Sequence, residues 1–161
     1  MPKLHVLFTK ENLDPDRLHG KVVIVLDVLF ATSTIVHAFG EGIECLWPAR
    51  DADEARHIAQ ELVGKGVDAP VLAGEYLAGS LPGFGPATPL ALTGKGVHGA
   101  TLVYATTNGT VALKNAATAD HVYVGSLLNG SALVAHVVQA HPAASVLLVC
   151  SGSQRDRKSV V

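Results

Sequence analysis

Two carboxylates follow strand-like runs in this chain. Asp27 closes the β-branched run Val22 to Leu26, and Gly74-Glu75 follows Val71 to Ala73. A few hard oxygen ligands of this kind suit a Mg²⁺ ion, which keeps part of its water and bridges to phosphate. A further apolar run, Leu102 to Ala105, ends in Thr106-Thr107-Asn108-Gly109-Thr110. Helical spacing begins at once, with Val111, Leu113 and Ala117 on one face. Backbone N–H groups at a helix start are unpaired and carry the positive end of the dipole, so they attract anions. The hydroxyls of Thr106, Thr107 and Thr110 would add donors. The same composition also describes an ordinary Thr/Asn helix cap.

These residues need elements that bring them together. Leu4 to Phe8 reads as a first strand, followed by a polar loop with Asn12, Asp14-Pro15-Asp16 and Gly20 as turn chemistry. Val22 to Leu26 is the second strand, with a helix through Thr32-Ser33-Thr34 that stops at Gly40 and Gly42. Ile43 to Trp47 is the third, and acids in its first turn open a helix from Asp51 to about Val63. Val71 to Ala73 is the fourth. Gly79 to Gly99, rich in Gly and Pro, reads as one long loop, a length that often carries function. Leu102 to Ala105 and His121 to Val124 come next. Asn129-Gly130-Ser131 then starts a helix to about His141, and Ser145 to Val149 is the last strand.

Strands alternating with helices predict an α/β fold in three layers, a mostly parallel sheet with helices on both faces. In such sheets ligands bind outside the carboxyl ends of the strands. That edge collects Asp27, Glu75, Thr106-Thr107-Asn108, Ser126, Asn129 and Ser151, whereas the opposite edge carries ordinary turns. The carboxylates, hydroxyls and helix starts there suit Mg²⁺ with a phosphate or another small anion.

Composition narrows the field. Apolar residues make up 48% of the 161 residues and charged ones 16%, which favours a doubly covered sheet in a single domain. A net charge of −2, without a basic run in the body of the chain, argues against nucleic acid and acidic membranes as partners. No apolar run has transmembrane length and no signal peptide is recognisable, so a cytoplasmic location is expected. Cys45 and Cys150 read as buried reduced thiols. Self-association into a homo-oligomer is compatible with all of this.

Other chemistries fit less well. An aspartyl-phosphate phosphatase wants a second Asp two places after Asp27, where Leu29 stands. Arg50 and Arg155 fall one residue short of the cysteine-phosphatase spacing from Cys45 and Cys150. Gly64-Lys65-Gly66 ends a helix instead of starting one, and no G-x-G-x-x-G follows a strand. The eight histidines show no metal-ligand pairing.

The ordered motifs resemble the 2-phosphosulfolactate phosphatases of coenzyme M biosynthesis. They are Val25-Leu26-Asp27-Val28-Leu29 with Ala31-Thr32-Ser33-Thr34, Leu72-Ala73-Gly74-Glu75, Gly83-Phe84, Thr106 to Thr110, Gly125-Ser126-Leu127-Leu128-Asn129 and Val149-Cys150-Ser151-Gly152. The resemblance implies Mg²⁺-dependent hydrolysis of 2-phospho-3-sulfolactate, or of a related small phosphorylated 2-hydroxy acid. Asp27, Glu75, Thr107 and Asn108 would be catalytic, with Asp27 and Glu75 on the metal. Thr32, Ser33, Thr106, Gly109, Thr110, Ser126 and Asn129 would bind substrate. Phe30 and Tyr76 stand where the family usually has arginine, so two cations are expected to be missing beside the anion. That motivates a second reading, a catalytically inactive small-anion-binding α/β domain. A nucleotide-binding enzyme is a third reading, opposed by the absent glycine fingerprint.

Residues 1–155 read as one phosphatase-like domain, incomplete at its C-terminus. Asp156-Arg157-Lys158-Ser159-Val160-Val161 is what GATCGGAAGAGCGTCGTG encodes, the start of a common sequencing adapter. These six residues are expected to be a read-through scar, with the natural protein running on further.

Overall fold

The computed structural model describes residues 3–94 and 96–151; the adapter-like hexapeptide lies outside the described residues. The strands are β1 (Leu4–Leu7), β2 (Lys21–Leu26), β3 (Cys45–Ala49), β4 (Val71–Tyr76), β5 (Gly79–Ser80), β6 (Thr101–Ala105), β7 (His121–Gly125) and β8 (Ser145–Cys150). The helices are α1 (Ala31–Gly40), α2 (Ala52–Gly64), α3 (Pro89–Thr93), α4 (Gly109–Asn115) and α5 (Gly130–Ala140). Two short 3₁₀ turns, Lys10–Asn12 and Pro15–Arg17, fill the polar loop before β2.

The α/β architecture has helices on both sheet faces, but it is built on two sheets. One has the order β1-β8-β2-β7, all parallel; the other has β3-β6-β4-β5, parallel except for the β4–β5 hairpin. Helices α1 and α4 each connect a strand of one sheet to a strand of the other. They lie in the shared interior, where Ile35, Ala38, Ala112 and Leu113 meet Val23 and Val25 of β2 and Leu102 and Tyr104 of β6. The alternate residues face outward. Val22 and Ile24 pack on Val137 of α5, and Val103 and Ala105 pack on Ala55 and Leu62 of α2. Each sheet is thus a three-layer sandwich, and the two sandwiches hold their middle helices in common. Runs such as Val22–Val25 are apolar on both faces because both faces are covered.

Local chemistry explains the element ends. Asp51 caps α2, accepting from the N–H groups of Asp53 and Glu54 at 3.0 and 2.8 Å. Pro48 is tolerated in β3 because β3 is an edge strand. The expected loop from Gly79 to Gly99 contains β5 and the short helix α3, whose Pro89 sits at the permissive helix start. Among the described residues, no helix is long and apolar enough to cross a membrane.

Candidate active site

Asp27 and Glu75 come from different sheets, yet they line one cavity of about 470 Å³. Thr106, Thr107, Asn108 and Tyr104 line it from β6 and its turn, and Leu29, Phe30, Leu77, Pro86 and Ala87 supply apolar walls. The carboxyl edges of both sheets therefore open on the same space.

Asp27 is fixed through its backbone and backed at its carboxylate. Its N–H donates to the Thr32 hydroxyl at 2.9 Å, and its carbonyl accepts from the Thr32 N–H at 2.9 Å. Gly109 meets it from the start of α4. A Cβ at Gly109 would stand 2.7 Å from Asp27 Oδ2 and 2.5 Å from the Ala31 Cβ, so only glycine permits this approach. Burial raises the Asp27 carboxyl pKa from 3.8 to about 6, and the charge of Glu75 adds to the rise. The Gly109 N–H and the Lys10 ammonium act in the opposite direction.

Glu75 is held by three donors. Its Oε1 accepts from the Thr107 N–H at 2.7 Å, and its Oε2 accepts from the Thr107 hydroxyl at 3.1 Å and the Ala78 N–H at 2.7 Å. The Thr107 hydroxyl in turn accepts from the Leu77 N–H at 2.7 Å. Thr107 thus orients Glu75. Thr106 and Thr110 bond to one another inside the β6–α4 turn, with the Thr106 N–H donating to the Thr110 hydroxyl at 2.8 Å. Ser33 donates to the Val28 carbonyl at 2.8 Å.

Ser126 and Asn129 do not line the cavity. Asn129 Oδ1 accepts from the Ser126 N–H at 2.9 Å, and its Nδ2 donates to the Val124 carbonyl at 3.0 Å. Together they close the β7–α5 turn on itself. Thr32, Ser33, Gly109 and Thr110 support the cavity from behind; Asp27, Glu75, Thr106, Thr107 and Asn108 face it.

Two residues at the site escape sequence reasoning. Lys10 is only 9% exposed, and its ammonium donates to Asn108 Oδ1 at 2.7 Å and lies 3.1 Å from Glu11 Oε1. It sets a cation behind Asn108, outside the cavity lining but near enough to act on Asp27, from the first 3₁₀ turn, where its polar neighbours make it look like a solvated loop lysine. Of the two positions expected to leave the anion without a cation, Phe30 lines the cavity, whereas Tyr76 lies outside its lining. Tyr104 is fully buried and donates to the Ala87 carbonyl, which also accepts from the Thr34 hydroxyl at 2.8 Å. Burial holds its phenol well above the usual tyrosine range. It anchors the Pro86–Ala87 wall. A tyrosine in an apolar strand reads as core, and only the fold shows what its hydroxyl holds.

The family model for 2-phosphosulpholactate phosphatase matches residues 7–159. A probable 2-phosphosulfolactate phosphatase of Symbiobacterium thermophilum is 35% identical over 144 residues, covering 88% of this chain and 60% of the relative. A protein of the same description from Clostridium perfringens strain SM101 is 35% identical over 136 residues, covering 84% and 55%. One from Clostridium acetobutylicum is 32% identical over 152 residues, covering 94% and 62%. The chain therefore spans about three fifths of the length of these relatives. A match over nearly the whole chain, with the two carboxylates and the Thr-Thr-Asn-Gly-Thr turn at one cavity, establishes that the chain belongs to the 2-phosphosulpholactate phosphatase family.

Proposed function

We propose that this chain carries the carboxylate centre of a phosphate-monoester hydrolase acting on 2-phospho-3-sulfolactate or a related 2-hydroxy-acid phosphate. One observation supports this above the others. Asp27 and Glu75, far apart in sequence and on different sheets, face the same cavity in a chain of this family.

The donor set fits Mg²⁺. The ion needs only one or two carboxylates when phosphate and water complete its shell. Asp27 is partly desolvated beside another carboxylate, a pairing that a cation would relieve. Among the described residues no group of three or more metal-ligating side chains converges, so the ion would rest on this pair. When bound, Mg²⁺ would neutralise charge on the phosphoryl oxygens. The protein's own groups do the rest. Thr107 keeps Glu75 in one orientation, and the Gly109 N–H supports the charged form of Asp27. Lys10, held on Asn108 behind the lining, adds positive charge that favours an anionic ester in the cavity.

Calorimetric Mg²⁺ titration and phosphate release test this reading. Asp27→Asn and Glu75→Gln should each weaken Mg²⁺ binding and slow hydrolysis of a 2-hydroxy-acid phosphate at least tenfold, the scale of losing a metal-site group. Unchanged Mg²⁺ affinity in both variants would sink the metal assignment. A second reading, small-anion binding without turnover, is supported by the lack of Lys or Arg among the described lining residues. It requires saturable phosphate binding with no hydrolysis of any ester.

A further inference from the structure

The walls of the cavity pose a question that its carboxylates do not answer. Among the described residues its charged lining residues are Asp27 and Glu75, both acids, whereas Leu29, Phe30, Leu77, Ala78, Pro86 and Ala87 are apolar. Leu29, Phe30 and Leu77 are 76%, 48% and 70% exposed. Large apolar side chains gathered at one cavity mouth mark a surface that a ligand covers.

Leu77 is there against the preference of its own backbone. Tyr76 pairs with Gly79 and Glu75 with Ser80, which leaves Leu77-Ala78 as a two-residue hairpin loop. Both loop residues have positive φ, 49° and 63°. That is the type I′ geometry, which selects Asn-Gly and disfavours side chains such as leucine. The turn is held regardless, because Thr107 and Glu75 accept the N–H groups of Leu77 and Ala78. Strained non-glycine residues over-determined by their surroundings concentrate at ligand clamps. Here the strain keeps an isobutyl group at the mouth of the cavity.

We infer that the organic subsite is apolar: the chain takes phosphate monoesters of 2-hydroxy acids bearing an uncharged aliphatic side group, with Leu77 and Phe30 as specificity-determining residues. The inference rests on the proposed hydrolase reading. A sulfonate in this subsite would lose water and find Leu77 and Phe30 in its place, an uncompensated burial of charge. An aliphatic group would gain from the same walls. The volume, within the range of roughly 300–1,000 Å³ typical of small-molecule sites, leaves room for it beside the phosphate.

The test compares two esters on the purified chain with Mg²⁺: 2-phospho-3-sulfolactate and the phosphate ester of 2-hydroxy-4-methylpentanoate. We expect kcat/KM to favour the aliphatic ester at least tenfold, about the discrimination of one methylene in an apolar pocket. Leu77→Asn suits the turn and should melt no lower than wild type, yet the aliphatic preference should fall at least fivefold. Phe30→Lys should move the ratio further toward the sulfonate. A wild-type preference for the sulfonated ester, or a ratio unmoved by both variants, overturns the inference. Failure to hydrolyse either ester overturns the hydrolase reading instead. Calorimetry with the two phosphonate analogues then decides the subsite: tighter aliphatic binding upholds it, and equal or weaker binding refutes it.

Discussion

The β6–α4 and β7–α5 junctions look alike as sequence. Each runs from a strand through hydroxyl and asparagine residues to a glycine that opens a helix, Thr106-Thr107-Asn108-Gly109 in one and Ser126-Leu127-Leu128-Asn129-Gly130 in the other. Their partners differ. The first binds outward: Thr107 holds Glu75 of β4, Asn108 holds Lys10 of the first 3₁₀ turn, and Gly109 closes on Asp27 just after β2. The second binds inward, with Asn129 satisfying Ser126 and Val124 of its own turn. Residue type marks a junction, but contacts between distant elements turn one into a site. The two should also respond to mutation with opposite signs, since a functional junction stores unfavourable charge whereas a structural one relieves it.

Asp27 should show the largest effect. The unfolded carboxyl titrates near 3.8 and the folded one near 6, chiefly because burial disfavours its charge. Between those values the native state keeps a proton that the unfolded state has lost. Stability therefore falls as pH rises through that window and stays lower above it. Without Mg²⁺, Asp27→Asn should stabilise the protein at about pH 8 by up to about 3 kcal/mol, two pKa steps of roughly 1.4 each. The gain should vanish below about pH 4. Urea melts across this range measure it. An Asp27→Asn variant less stable than wild type at every pH would show that the outward-facing junction stores no such charge.

Much of this arrangement is legible in sequence, and what is not has a physical reason. Alternating strand and helix patterns foretell the α/β class, and strand ends point to Asp27 and Glu75. They cannot reveal that α1 and α4 cross between two sheets, because strand periodicity is the same whichever sheet a strand joins. The third strand shows a boundary shift, expected at Ile43–Trp47 and found at Cys45–Ala49, since Ile43 is buried in the core before pairing starts. Lys10 is illegible because its burial depends on Asn108, 98 residues away. Ser126 and Asn129 share the composition of a site, and only the lining of the cavity separates them from it.

Lys10 sharpens the comparison next. It brings positive charge to the first junction, and no ion pair joins the second junction among the described residues. Lys10→Met keeps the buried stem and removes the ammonium. KM for a phosphate ester should rise roughly 10- to 100-fold, the scale of a charged hydrogen bond, with kcat changing much less. Lys114→Met is the control, because Lys114 pairs with Glu54 at 2.8 Å on α2 and serves no cavity residue. Equal effects from both lysines would mean that bulk charge, and not the Asn108-anchored ammonium, governs binding.

The smallest effect, on the second junction, decides whether the contrast holds. In Asn129→Ala the buried Ser126 N–H loses its acceptor and the Val124 carbonyl loses a donor. Unmet buried groups cost about 1–3 kcal/mol, and the partial exposure of this turn argues for the lower end. For a chain of this size that lowers Tm by roughly 2–4 °C. KM and kcat at 25 °C should stay within about twofold of wild type, because the Asn129 side chain reaches only its own turn. Asp27→Asn and Asn129→Ala would then shift stability in opposite directions, and only the first would impair catalysis. A variant that melts like wild type but binds phosphate ester poorly would place Asn129 in the site. The two junctions would then be working equivalents, and self-contained hydrogen bonding would no longer separate a turn from a site.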